Sequence, residues 1–149
     1  MNQQIVLAGI CLLVSITVGC GGRPKLAEVK GQVLINGEPV EGIEVCYVPD
    51  PEFGNKGRFS KGITDEKGNF VLKYDDDSKQ NGVSIGSCRV TLRDLISAYT
   101  SRDEVPQPPR ISQKYIDSNR TPLRRDVTGG IVNNHIFELV DSTEIESGE

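Results

Sequence analysis

Short apolar runs that alternate with polar residues, each ended by Gly, Pro or an Asn-Gly pair, constrain this chain more than any other feature. In Val29-Lys30-Gly31-Gln32-Val33-Leu34-Ile35, the residues Val29, Val33 and Ile35 share one face, as the two-residue period of a half-buried strand requires. Asn36-Gly37 follows at once and is the strongest short hairpin signal, because both residue types tolerate positive φ. A second strand over 43–48 turns Ile43, Val45 and Tyr47 to the core and stops at Pro49-Asp50-Pro51. Further strands are expected over 58–64, 69–74, 86–93, 123–127 and 134–140, with Asp65-Glu66-Lys67-Gly68 as a tight turn and Phe70, Leu72 and Tyr74 on one face. Between 94 and 121, Pro106, Pro108 and Pro109 exclude a long helix, leaving room for one turn at 112–116. These signals predict an all-β chain: a seven-stranded antiparallel β-sandwich.

The core of such a domain is built from Val, Ile, Leu, Phe and Tyr, since the chain has no Trp and one Met. The formal charge of −4 is spread over scattered Lys, Arg and acidic residues, and Arg124-Arg125 is the only basic cluster. That distribution gives no electrostatic case for a nucleic-acid partner.

The first 22 residues read differently. An uncharged, mostly apolar run of 14 residues, 5–18, leads into Gly19-Cys20-Gly21-Gly22, and every charged residue of the chain comes later. Spanning a bilayer takes ~20 apolar residues, so the run matches the h-region of an export signal instead. Gly19-Cys20 resembles the lipobox of bacterial lipoproteins, which implies cleavage before Cys20 and acylation of that residue with palmitate-type chains. The expected organisation is a lipoprotein signal peptide over 1–19, a lipidated tether over 20–27, a sandwich domain over 28–140 and an acidic flexible tail over 141–149. The expected location is the cell envelope, exported and membrane-anchored by lipid, facing the periplasm or the surface.

Export makes a disulfide between Cys46 and Cys88 chemically accessible, so this pair is a candidate. The pattern opposes it. Cys46 alternates away from the core face of its strand, whereas Cys88 shares the apolar face of Cys88-Arg89-Val90-Thr91-Leu92.

A family resemblance lies in the order of several weak motifs. They include Val29-Lys30-Gly31-Gln32-Val33, Asn36-Gly37-Glu38-Pro39-Val40, Gly62-Ile63-Thr64-Asp65, Gly68-Asn69-Phe70-Val71-Leu72 and Ile111-Ser112-Gln113-Lys114-Tyr115. Together they resemble the carboxypeptidase regulatory-like, transthyretin-like domain in its small lipoprotein form of the planctomycete type. The resemblance runs from Ala27 to Val140 and implies a non-catalytic sandwich; Cys88 stands where the family usually has an aromatic.

Catalytic groups must converge on one site. The single histidine, His135, has no recognisable Ser, Cys or carboxylate partner motif and reads as a strand residue. One histidine cannot build a histidine-rich zinc site, and Asp75-Asp76-Asp77 lacks the spacing of a calcium loop. No metal or cofactor is expected, and no enzyme activity. Lys30 and Asn133 or Asn134 lie where related sandwiches form a Lys–Asn crosslink, but Lys30 alternates toward solvent. The candidate binding surface is the long 94–121 loop with Tyr99, Arg102, Arg110 and Tyr115, which mixes aromatic and guanidinium groups suited to an envelope protein or a glycan. The expected function is a lipid-anchored envelope protein with a binding or structural domain. The alternatives are a surface carbohydrate-binding module and, further off, a hydrolase.

Overall fold

The structure, a computed structural model, describes residues 24–98 and 108–140. The signal segment, Cys20, Tyr99, Arg102 and the acidic tail lie outside the described residues. The chain is mostly β. Its strands are β1 (Leu26–Ala27), β2 (Val29–Ile35), β3 (Glu38–Pro39), β4 (Ile43–Pro49), β5 (Ser60–Ile63) and β6 (Asn69–Val71). They continue with β7 (Lys73–Tyr74), β8 (Val83–Ser84), β9 (Gly86–Asp94), β10 (Arg124–Val127) and β11 (Asn133–Leu139). A single helical turn, α1 (Leu95–Ala98), follows β9, and 3-10 turns occupy Pro51–Phe53 and Gln113–Tyr115.

Two larger sheets enclose the core, and the two-stranded β1–β8 sheet adds Ala27 and Val83 to it. One has the order β10-β9-β4-β5-β7; in the other β2 lies between β11 and β3, with β6 also pairing β2. Alternation along β4 buries Ile43, Val45 and Tyr47, and β9 opposes them with Val90 and Leu92, as the sequence pattern predicts. Val33, Phe70 and Phe137 come from the facing sheet, and the rings of Tyr47 and Phe137 meet edge-on at 6.5 Å. Asn36 and Gly37 have φ of 52° and 81°, the paired positive values of a two-residue hairpin, and Ile35 faces Glu38 across it.

Three expectations are corrected. The sheets are not wholly antiparallel: β11 runs parallel to β2, with Asn133 opposite Val29 and Leu139 opposite Ile35. Parallel neighbours need a long crossover, and here the rest of the domain supplies it. The expected strand over 69–74 is two strands, because the chain changes sheets at Leu72: β6 pairs with β2, while β7 pairs with β5. Gly62 permits this corner, since a Cβ there would collide with the carbonyl oxygen of Val71. Finally, the last two residues of the expected tether belong to the fold, as β1 pairs with β8.

Candidate functional site

An ion pair ties the start of the long loop that follows β9 to Arg110 within it. Asp94, the last residue of β9, turns its carboxylate back over α1 and accepts from the backbone N–H groups of Ile96 and Ser97. The same carboxylate takes both arms of Arg110, Nε to Oδ2 at 2.8 Å and Nη2 to Oδ1 at 2.6 Å, plus the Arg110 backbone N–H at 3.2 Å. Arg110 also donates to the carbonyl of Glu41. Burial pushes the Asp94 carboxyl upward, but the bonds from Arg110 outweigh it and bring the pKa down to about 2. Arg110, expected at a binding surface, is therefore held as the clasp of the loop.

Tyr115 is half-buried against the core, and the Lys114 ammonium sits 5.0 Å from its ring centroid. Beside the clasp, Asp94, Ser97, Ile111 and Ile116 border a depression of about 350 Å³. This is the described part of the expected binding surface.

A second, more buried cluster closes the opposite end of the same sheet. Asp50, fully buried at the end of β4, accepts from Nε and Nη2 of Arg89 on β9 at 2.9 and 3.1 Å. Arg124 of β10 donates to the same carboxylate, and Glu52 pairs with Arg89 at 2.9 Å. The Arg89 hydrogen bonds, working against burial, hold the Asp50 carboxyl below the usual carboxylate range. Asp50 also caps the Pro51–Phe53 turn by accepting from the Glu52 N–H. One carboxylate thereby ties three adjacent strands together.

His135 faces inward from β11, where its Nδ1 and the Tyr47 hydroxyl share a hydrogen bond of 2.6 Å across the two sheets. Burial, then the Arg125 guanidinium, keeps the imidazole below its ordinary pKa of 6.5. Gly31 stands opposite His135, and a Cβ there would strike the His135 carbonyl oxygen, so only glycine fits beside this pair.

Cys46 and Cys88 are both free, correcting the candidate disulfide. Cys46 is opposite Thr91 and Cys88 opposite Pro49, three register positions apart and on opposite faces of the sheet. Burial, with the Glu44 charge, raises Cys46 to about 11; burial, with Asp126 and Asp50, raises Cys88 to about 12. Both remain thiols at neutral pH.

Lys30 and Asn134 are register neighbours, but both are exposed on the outer face rather than enclosed with an acid. Asn133 is buried and spends its amide on the carbonyls of Glu28 and Thr128, anchoring the entry to β11. In the acidic loop, Asp75 pairs with Lys79, and Asp76 accepts from the backbone of Ser78 and Lys79. The aspartates thus shape a turn.

Sequence reasoning misses both Asp50 and Asp94 as site residues. A signal exists for each: an acid at a strand end, directly before a proline in Pro49-Asp50-Pro51 or a helix-forming stretch in Asp94-Leu95-Ile96. Their arginine partners lie 16 to 74 positions away and carry no such mark. Compared with known proteins, the chain matches no family model, no curated protein and no solved structure.

Proposed function

We propose that this chain is a non-catalytic lipoprotein of the bacterial cell envelope. Acyl chains on Cys20 hold it to a membrane, and a carboxypeptidase regulatory-like, transthyretin-like sandwich presents loops for binding or structural support. The observation that carries this reading is the sequence at the N-terminus: an uncharged run of 14 residues ends on Gly19-Cys20, and β1 begins only six positions later. Two or three acyl chains at ~0.8 kcal/mol per buried CH₂ suffice for stable anchoring.

A binding role fits the way the polar side chains are used. Asp50 is spent on Arg89 and Arg124, Asp94 on Arg110, and His135 on Tyr47. Each of these groups positions backbone or packs sheets together. The partner would be met at the α1 end, because β9 runs nine residues, ~30 Å at a strand's rise, from the anchored end to Asp94.

Palmitate labelling in a bacterial host tests the reading. Label on the wild-type chain should vanish in Cys20→Ala, with the protein moving from the membrane to the soluble fraction. A wild-type chain that takes no label contradicts it. Purification of the acylated protein from native membranes should bring down a larger envelope protein with it.

A further inference from the structure

Strand β11 lies at the edge of its sheet, and among the described residues it pairs only with β2. Bonds from the Asn133 N–H to the Glu28 carbonyl and from the Asn36 N–H to the Leu139 carbonyl fix which groups face β2. Main-chain groups of successive strand residues point to alternate sides, so those of Asn134, Ile136 and Glu138 point outward, away from β2. The other strands with an open side are short or guarded. β1, β3, β7 and β8 are two residues each, and β6 is three, with Asn69 bonded to Asp65 in both directions. β10 carries Arg124, Arg125 and Asp126, and the Arg125 side chain takes the Arg124 carbonyl. β11 runs seven residues with one charge, Glu138.

The outer row of this edge is self-complementary. Val132, Asn134, Ile136, Glu138 and Val140 are all exposed, Ile136 at 61%. Turned end for end about Ile136, the row sets Ile136 against Ile136, Asn134 against Glu138 and Val132 against Val140. An amide donor then answers each carboxylate, and no like charges stand opposite. A register shifted by two residues either way sets Ile136 against Glu138 or against Asn134.

We infer that β11 pairs antiparallel with β11 of a second copy, centred on Ile136, and joins two sandwiches edge to edge. Asn134, Ile136 and Glu138 each exchange both main-chain hydrogen bonds with the residue opposite, replacing water on the outward groups. The contact is small, so the pair belongs to the weak class of interfaces and forms where chains are concentrated. It goes beyond the lipoprotein reading and does not depend on it. The two N-terminal ends lie at opposite ends of the joined sheet, so two anchors serve one membrane when the strands lie along it. The Asp94–Arg110 clasp, on the facing sheet, takes no part.

The test uses the full chain purified from bacteria in density-matched detergent, followed by sedimentation equilibrium over rising concentration. The chain should form a dimer and nothing larger, since a two-fold contact uses up the edge. Ile136→Lys alters an exposed side chain, so it should stay folded and weaken the dimer roughly tenfold by opposing like charges at the centre. Oxidation reads the register, with the wild type as background. The Ile136 Cα atoms of the pair stand about 5.5 Å apart, so Ile136→Cys should give a disulfide-linked dimer. Asn134→Cys, roughly 14 Å from its counterpart, should not. A dimer that survives Ile136→Lys, or that links as readily through Asn134→Cys, overturns the pairing. So does a chain that stays monomeric at every concentration, including one whose β11 amides exchange slowly because its own 141–149 segment covers them.

Discussion

The two ends of the larger sheet use one device for different purposes. At each, an aspartate at a strand end caps a short helical turn and receives an arginine through two nitrogens. Asp50 is shared by Arg89 and Arg124 on neighbouring strands, so it fastens strand to strand. Asp94 is held by Arg110 from the far side of the loop, so it fastens a loop to its own root. The first is structural glue within the sheet. The second pins Arg110, well along the connection, to the end of β9.

The largest effect should come from Asp50→Asn. It leaves Arg89 and Arg124 facing each other without their shared counter-charge and should lower the urea midpoint further than Asp94→Asn, Tyr47→Phe or Cys46→Ser. A smaller loss than that of Asp94→Asn would reverse the comparison.

Asp94→Asn should cost about 2–3 kcal/mol, discounted because Arg110 keeps partial access to water. It should also open the loop base to protease while the sheet stays intact. The pH dependence has a definite sign. The folded carboxyl, near 2, binds its proton more weakly than the unfolded one, near 3.8. Its stabilisation is therefore complete above the unfolded value and is lost as the pH falls through about 2. Unfolding curves of the wild type should show this acid loss, and those of Asp94→Asn should show less of it.

Between the two ends, Tyr47→Phe should cost about 1–2 kcal/mol by stranding the inward nitrogen of His135. The imidazole is held below its ordinary 6.5, so its contribution is present above that value and lost as the pH drops through the folded one. His135→Gln should flatten that part of the profile. The smallest effect belongs to Cys46→Ser, on the outer face of β4, at about 0.5 kcal/mol or less. Alkylation before unfolding should be slow at both Cys46 and Cys88, and after unfolding without reductant both should react.

Much of the fold was legible because it rests on local rules. Alternation placed Ile43, Val45 and Tyr47 in the core and Cys46 outside it, and Asn36-Gly37 made the hairpin it signals. What could not be read depends on where the chain goes next. The parallel pairing of β11 with β2 joins segments about a hundred residues apart, and the sheet change at Leu72 leaves the buried alternation of Phe70, Leu72 and Tyr74 intact. The candidate site divides the same way. Aromatic and guanidinium composition drew attention to Arg110 and Tyr115, but composition does not say that Arg110 faces Asp94 or that Tyr115 lies against the core. Asp50 and Arg89 meet only because β4 and β9 are neighbours in the sheet.

The central claim is that a lipid on Cys20 sets where this sandwich works. The most direct measurement is the mass of the N-terminal peptide from protein extracted from bacterial membranes. The account predicts a chain beginning at Cys20 and carrying a diacylglyceryl group, with or without a further N-acyl chain. A chain still beginning at Met1, or one cut nearby with an unmodified cysteine, would contradict it.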